Sequence, residues 1–422
     1  MKVGLMGFGT VGLGVAERLA TVAHTLQGQF GEALTIEGIL IRDKDKYQQS
    51  LQGTSFVSVI TSDWNEFSKK CDYDLVFEAI GGLEPAYQYT EFFLEKGTPV
   101  ITANKKLVAE YGETLEDLAE QRQTYYGYEA AVAGGIPIIN VLRGIIPTTE
   151  IFRVSGILNG TTNYILTEMK ERNLSFDEAL AQAQQLGYAE NDPTDDIDGF
   201  DAWYKIRILT KCCFGIWPKK EQVTREGIRY VEGWQLELAQ QLGLQLKLIG
   251  TSECHQGQIK AKVEPVFLAK EESYTAVNGV TNAIQIEGPM IGELLFTGPG
   301  AGKEATANSM VEDFLFLSRF GTGNSYNTYK TKKQGEVSNG KWQPEKAERY
   351  YLAFSKAASV DIHHYLHPEA IVVHKQHGLD GDAYLVKGEF NDVTTGLEIF
   401  SIQGELTEKS WQESLVLGRL TS

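Results

Sequence analysis

In the N-terminal third of the chain, short apolar runs alternate with segments whose apolar positions recur every three or four residues. That is the pattern of a parallel sheet covered by helices. Strands are predicted over Val3–Phe8, Ile36–Arg42, Asp74–Ile80, Pro99–Thr102 and Tyr125–Ala131, and helical periodicity runs through Val11–Thr25, Pro85–Glu95 and Tyr111–Arg122. Gly97 stands where a helix C-cap is wanted. The expected fold class is α/β, with a doubly wound N-terminal domain over residues 1–133.

From residue 134 to 300 the texture changes to helices followed by strands, which predicts a second, mixed α+β unit. Ser175-Phe-Asp-Glu178 is a capping box that opens a helix, and Gly187 closes it. A helix over Asp198–Phe214 follows, acidic in its first turn and ended by Gly215. Strands are expected at Leu244–Gly250 and Ile259–Phe267. Residues 324–346 are rich in Lys, Asn, Ser and Gly and read as a linker. Beyond it, Arg349–Ser355, Ala370–Lys375, Ala383–Phe390 and Leu397–Gln403 alternate like strands, predicting a small α+β or β-rich unit over 347–422.

The chain has 422 residues, 42% of them hydrophobic, enough for two or three cores. Its 39 Lys and Arg against 56 Asp and Glu leave a net charge of -17. Attraction to nucleic acid or an anionic membrane is therefore disfavoured, and a small-molecule partner is the better reading. The N-terminus enters a strand pattern without an export signal, and no window of roughly 18 apolar residues occurs. A soluble, cytoplasmic protein is expected. Cys71, Cys212, Cys213 and Cys254 form neither a CxxC motif nor a disulfide framework.

Chemistry enters at Gly7-Phe8-Gly9-Thr10-Val11-Gly12, between the first strand and the first helix. Gly7 permits the tight turn, Gly9 lets the backbone approach a pyrophosphate, and Gly12 lets the helix pack on the strand. The exposed amides of that helix start favour an anion, so a dinucleotide is implied. Arg42 and Asp43 end the second strand, where ribose selectivity is decided: an Asp favours NAD and an Arg accommodates NADP. Both are present, so the cofactor is read as NAD(P). EAIGG at 78–82 and TANKK at 102–106 occupy further strand ends.

Between Gly187 and Lys205 lie Glu190, Asp192, Asp195, Asp196, Asp198 and Asp201, a density of carboxylates able to hold an ammonium group. Asp201 and Lys205, four apart, share one helix face. Taken alone they would read as an exposed ion pair.

Together these segments resemble homoserine dehydrogenase over roughly residues 1–325. The glycine loop, EAIGG, TANKK, EAAVAGGIPII (129–139), GILNGTTNYIL (156–166), the acidic stretch and GPGAGKEATA (298–307) occur in that family's order. The resemblance implies a Rossmann domain completed by about 300–323, a catalytic and dimerisation domain over 134–300, and interconversion of L-homoserine and L-aspartate 4-semialdehyde in threonine, methionine and isoleucine biosynthesis. It implies Lys205 as catalytic lysine, Lys105 as a second lysine near nicotinamide and substrate, and Asp201 beside them. Glu190 would bind homoserine, with Asp196 and Asp201 assisting. Phe8, Thr10, Val11, Arg42, Lys105, Gly187 and Gly302 match cofactor contacts. Glu129, Val132, Gly134 and Ile136 match a structural sodium site built mostly from carbonyl oxygens. A homodimer or higher homo-oligomer is also implied.

Residues 349–422 stand where many relatives carry a regulatory ACT module, yet the Asp-x-Pro-Gly turn is replaced by Ser355-Lys-Ala-Ala-Ser-Val. A degenerate ACT-like domain and an unrelated assembly module both remain open. His363, His364, His367, His374 and His377 cluster there, read as a solvated turn rather than a metal site. Two alternatives stand beside the enzyme reading: a silent NAD(P)-binding regulatory protein, and another Rossmann oxidoreductase of amino-acid metabolism.

Overall fold

The computed structural model describes residues 1–44, 47, 55–321, 349–356, 360–391, 396–404 and 406. The linker expected at 324–346 lies outside the described residues. Six parallel strands form the first sheet: β1 (Lys2–Met6), β2 (Thr35–Leu40), β3 (Ile60–Thr61), β4 (Leu75–Glu78), β5 (Val100–Thr102) and β6 (Tyr126–Gly127), in spatial order β3-β2-β1-β4-β5-β6. The chain winds outward from β1 on one side and returns to β4 on the other. The C-terminal ends of β1 and β4 therefore meet at a topological switch point, where open parallel sheets bind ligands.

Helices α1 (Thr10–Phe30), α2 (Trp64–Lys69), α3 (Ala86–Glu95) and α4 (Lys105–Gln121) connect these strands. The second unit contributes α5 (Gly160–Arg172), α6 (Phe176–Gln185), α7 (Thr194–Ile197), α8 (Phe200–Phe214) and α9 (Gly233–Gln241), and α10 (Lys303–Phe320) returns to the first sheet. Val15, Leu19 and Leu26 of α1 share a core with Met310, Val311 and Phe314 of α10 on one face. On the other face Met6, Val76 and Val100 pack with Leu107 and Leu115 of α4, in a core that continues into Ile165, Ile206 and Leu246. The two units are thus joined by buried apolar contact.

The second sheet runs β12-β11-β7-β9-β10-β16-β13-β15-β14, with β8 paired to β10. Its strands are β7 (Arg153–Ile157), β8 (Val223–Arg225), β9 (Gln245–His255), β10 (Gln258–Leu268), β11 (Thr281–Gly288), β12 (Gly292–Pro299), β13 (Tyr350–Ser355), β14 (Ile371–His377), β15 (Asp382–Lys387) and β16 (Glu398–Gln403). The C-terminal strands therefore continue this sheet. β16 pairs parallel to β10 through Val266↔Ser401 and Leu268↔Gln403. Leu352, Phe354, Leu385 and Phe400 face the main core, while Ala353, Tyr384, Val386 and Leu397 form a second cluster on the opposite face.

Several predicted boundaries are corrected. The strand expected over Tyr125–Ala131 is confined to β6 and followed by a 3-10 turn at Glu129–Ala131, because the Glu129 amide donates to Asp313 Oδ2 of α10 (2.8 Å) instead of a neighbouring strand. The helix expected from Tyr111 starts at Lys105, since the Asn104 side chain accepts from the Leu107 amide and caps it. The capping box at Ser175 and Glu178 forms as read. β7, β11 and β12 went unrecognised. In β11 the run Asn282–Ile286 is buried on both faces, so its side chains show no alternation.

Candidate active site

At the switch point, Gly7 adopts φ +92°. A Cβ there would stand 2.5 Å from the Ala79 carbonyl oxygen, and one on Gly12 would stand 2.1 Å from the Gly7 oxygen. No side chain fits at either position, whereas a Cβ on Gly9 would meet open space. Gly9 is the N-cap of α1 and brings no side-chain cap, so the first-turn amides are left to an anion. This is a cradle fit for a pyrophosphate.

α10 adds a second helix start at the same edge, unrecognised as a helix in the sequence. A Cβ on Gly14 of α1 would touch Lys303 and Ala307, and further along Phe30 stacks on Phe314 with centroids 4.9 Å apart. The two helices therefore run parallel, and Gly302 (φ +119°), with open space around it, opens α10 beside the glycine loop. Thr10 is exposed and Val11 half-buried in the first turn of α1. Phe8 turns its ring into the core against Phe56 and Tyr47, so it can meet a cofactor only through its backbone. Arg42 is exposed just beyond β2, and Gly187 (φ +75°) is exposed after α6.

Across the switch point, Glu78 at the end of β4 accepts from the Ile80 amide (2.6 Å) and from the Thr102 hydroxyl. Thr102 Oγ1 accepts from the Asn104 amide (2.9 Å), and Asn104 Nδ2 donates to the carbonyls of Ile80 (3.0 Å) and Gly82 (2.6 Å). Burial pushes the Glu78 carboxyl up to about 7, against the pull of these hydrogen bonds. EAIGG and TANKK are thereby laced into one floor from which Lys105 emerges as the first residue of α4. Sequence reading did not single out Glu78, Thr102 or Asn104 individually.

The two lysines meet on one carboxylate. Asp201 Oδ1 pairs with Lys105 Nζ at 2.5 Å and Asp201 Oδ2 with Lys205 Nζ at 2.7 Å. Lys205 Nζ also donates to the Leu158 carbonyl (2.7 Å). Asn159, N-cap of α5, donates from Nδ2 to Asp201 Oδ2 (2.9 Å) and to Asp196 Oδ1 (2.7 Å), while its Oδ1 accepts from the Thr162 amide. Behind the lysines, Arg207 pairs with Glu110 (3.4 Å) and Lys211 with Glu116 (3.5 Å), tying α8 to α4.

The electrostatics follow from burial and proximity. Burial lowers the Lys205 ammonium below the ordinary lysine range; Asp201 opposes this and the Lys105 charge adds to it. Asp201 raises Lys105. For Asp201 itself, burial favours the neutral acid, yet the two lysines outweigh it and hold the carboxyl well below the usual range. Asp196 is raised by burial first and by the Asp201 charge second.

The rest of the acidic stretch divides sharply. Asp192 accepts from the Thr194 amide, Asp195 pairs with Lys106 (2.5 Å), and Asp198 pairs with Arg229 (2.9 Å). Glu190 is exposed, and its carboxylate has no ion pair or hydrogen bond among the described residues. Of the six acids it alone keeps its charge uncommitted there.

The loop at 129–136 is buried except at Gly135 and is curled by two successive left-handed residues, Ala133 (φ +53°) and Gly134 (φ +48°). The Glu129 carboxylate accepts from the amides of Ile139 (3.0 Å) and Asn140, and Ser309 Oγ donates to the Gly134 carbonyl (2.6 Å). Any cation here would rely on main-chain oxygens. Among the described residues no group of three or more His, Cys, Asp or Glu side chains is placed to hold a metal ion. His363 and His364 are exposed, and His377 pairs with Asp382 (2.7 Å).

A glycine cradle at the switch point of a doubly wound sheet, beside two lysines that share one buried carboxylate, defines a nicotinamide-nucleotide-dependent oxidoreductase. Residues 7–129 match the family model described as the NAD-binding domain of homoserine dehydrogenase, and residues 137–315 match the homoserine dehydrogenase model itself. The chain is 39% identical to a homoserine dehydrogenase of Lactococcus lactis, over 78% of each, and 37% identical to one of Bacillus subtilis, over 77% of this chain and 76% of the relative. A solved homoserine dehydrogenase from Thiobacillus denitrificans superposes with a TM-score of 0.82 at 30% identity, covering 96% of this chain and 98% of that one. A hyperthermophilic archaeal homoserine dehydrogenase in complex with NADPH gives 0.63 at 29% identity, over 74% and 96%. The chain belongs to the homoserine dehydrogenase family.

Proposed function

We propose that Lys205 is the acid–base residue, and Glu190 the ammonium anchor, with which this chain interconverts L-homoserine and L-aspartate 4-semialdehyde on NAD(P). The observation that carries this reading is the Asp201 carboxylate, which binds Lys105 from the cofactor domain and Lys205 from the second domain on its two oxygens. A bound nicotinamide would supply the acceptor for the hydride of the alcohol carbon. What remains for the protein is to orient the substrate and manage the hydroxyl proton.

The two acceptors of Lys205 give it a direction. A neutral amine that spends its two N–H bonds on Asp201 Oδ2 and the Leu158 carbonyl aims its lone pair at the remaining tetrahedral corner. A substrate hydroxyl placed there loses its proton to Nζ as hydride leaves. In the reverse direction the ammonium returns that proton to the forming alkoxide. Burial supports this role by favouring the neutral amine. Reduction of NAD(P) on adding homoserine tests the activity, and no homoserine-dependent reduction by the folded protein would reject it.

Glu190 supports the substrate reading because its neighbours in the acidic stretch are committed elsewhere. Glu190→Gln should raise the homoserine KM about tenfold or more while changing kcat less, since a charge-assisted contact to the ammonium is lost. An unchanged KM would remove Glu190 from the binding site.

We read Arg42, exposed beyond β2, as the contact for the 2'-phosphate of NADP, because the end of the second strand is where ribose selectivity is decided. Arg42→Ala should then weaken NADP about tenfold or more and leave NAD nearly unaffected. Equal changes in the two Michaelis constants would reject the contact.

The oxygen donors of Glu129, Val132, Gly134 and Ile136 suit a hard monovalent cation, and the left-handed turn between them curls the segment as such a site requires. Sodium chloride should raise the thermal midpoint above that in choline chloride at equal ionic strength. Identical midpoints would dismiss the site.

A further inference from the structure

We propose that Asn282, on β11, is a positioning residue for the proton transfer, holding the Leu158 carbonyl that aims the Lys205 amine. That carbonyl accepts from Lys205 Nζ at 2.7 Å and from Asn282 Nδ2 at 2.9 Å. Leu158 follows the last residue of β7, and Ile157 pairs with Ala283 of β11, so Asn282 reaches the carbonyl where the strand ladder ends. The side chain is fully buried and pressed by the loop that leads into α10: a Cβ on Gly300 would stand 2.1 Å from Asn282 Cγ.

Stability alone does not account for an asparagine here. Its Oδ1 is buried without a hydrogen-bond partner among the described residues. An unmet buried acceptor costs about 1–3 kcal/mol, and a leucine of similar shape would fill the space without that cost. The polar end that does bond reaches a carbonyl already supplied by Lys205. The amide therefore serves the site.

Its effect falls on the protonation balance of Lys205. A carbonyl that already accepts from an amide is a weaker acceptor for a second donor, and the ammonium depends on that acceptor more than the neutral amine does. The charged groups facing Lys205 are Asp201 on its own helix, Lys105 from α4 and Asp196 on α7. The two acids favour the ammonium, and Lys105 with burial opposes it. Asn282 tips this balance toward the base without adding a charge.

This inference rests on the reading of Lys205 as acid–base residue, and the test separates the two. Homoserine-dependent reduction of NAD(P) is measured against pH for wild type, Asn282→Leu, Asn282→Ser and Lys205→Met, together with thermal midpoints. Asn282→Leu should melt at or above the wild-type temperature and keep the homoserine KM. Its kcat should fall roughly tenfold through misorientation of the amine. The rising limb of its profile should move to higher pH by roughly 0.5–1 pH unit, the worth of one hydrogen bond. Asn282→Ser, too short to reach the carbonyl, reads the same displacement if the leucine variant does not fold. An unchanged limb in a folded variant overturns the proposal, whether or not its melting temperature falls. If Lys205→Met itself keeps turnover and pH dependence, it is the Lys205 reading that fails.

Discussion

Lys205→Met is expected to fold, to bind NAD(P), and to lose about a hundredfold or more in turnover, equivalent to about 2.7 kcal/mol of barrier. Methionine keeps much of the buried aliphatic stem and removes the titrating amine. Wild-type homoserine oxidation should rise with pH as Lys205 loses its proton, over a range below that of an ordinary lysine, because burial disfavours the ammonium. In the variant that limb should vanish. Comparison with Lys105→Met decides between the lysines. Near wild-type turnover with an unchanged pH profile in Lys205→Met would show that the proton goes elsewhere.

Asp201→Asn should cost both stability and turnover. Asp201 is 2% exposed and is the shared anion of two ammonium groups. Removing one partner of a buried ion pair leaves charge uncompensated and costs about 3–5 kcal/mol, well above the few tenths of an exposed pair. The pH sign follows from its depressed pKa. The stabilisation is fully present above the ordinary carboxylate range and is lost as pH falls toward the folded-state value. In urea unfolding the gap between wild type and variant should therefore be largest near neutrality and narrow below roughly pH 4. Equal stability at pH 7 with undiminished turnover would show that Asp201 organises neither lysine.

The acidic stretch shows how far residue types alone carry an argument. Density of charge marked Glu190–Asp201 as special, but density does not assign partners. Only the fold brings Lys106 to Asp195, Arg229 to Asp198 and Asn159 to Asp196, leaving Glu190 uncommitted. Likewise the spacing of Asp201 and Lys205 predicted a shared helix face, and the structure places that face in the core, where Lys105 arrives from another domain. Glu78, Thr102 and Asn104 were passed over individually because their importance lies in hydrogen bonds between strand ends far apart in the chain.

The sequence by itself determined what depends on local chemistry: a doubly wound cofactor domain, from short apolar runs alternating with helical periodicity and from the glycine turn, and the helix start at Ser175, from its capping box. It also carried the family resemblance, through the order of seven segments. Tertiary structure decided what depends on distant neighbours. The two-sided burial of β11 hid its period, and the C-terminal strands could join β10 only because that strand had backbone groups left to pair. Sheet membership is set by such long-range hydrogen bonds, which leave no mark on the order of residues within a strand. The same holds for Asn282 on β11 and Lys205 on α8, brought to one carbonyl from elements far apart in the chain.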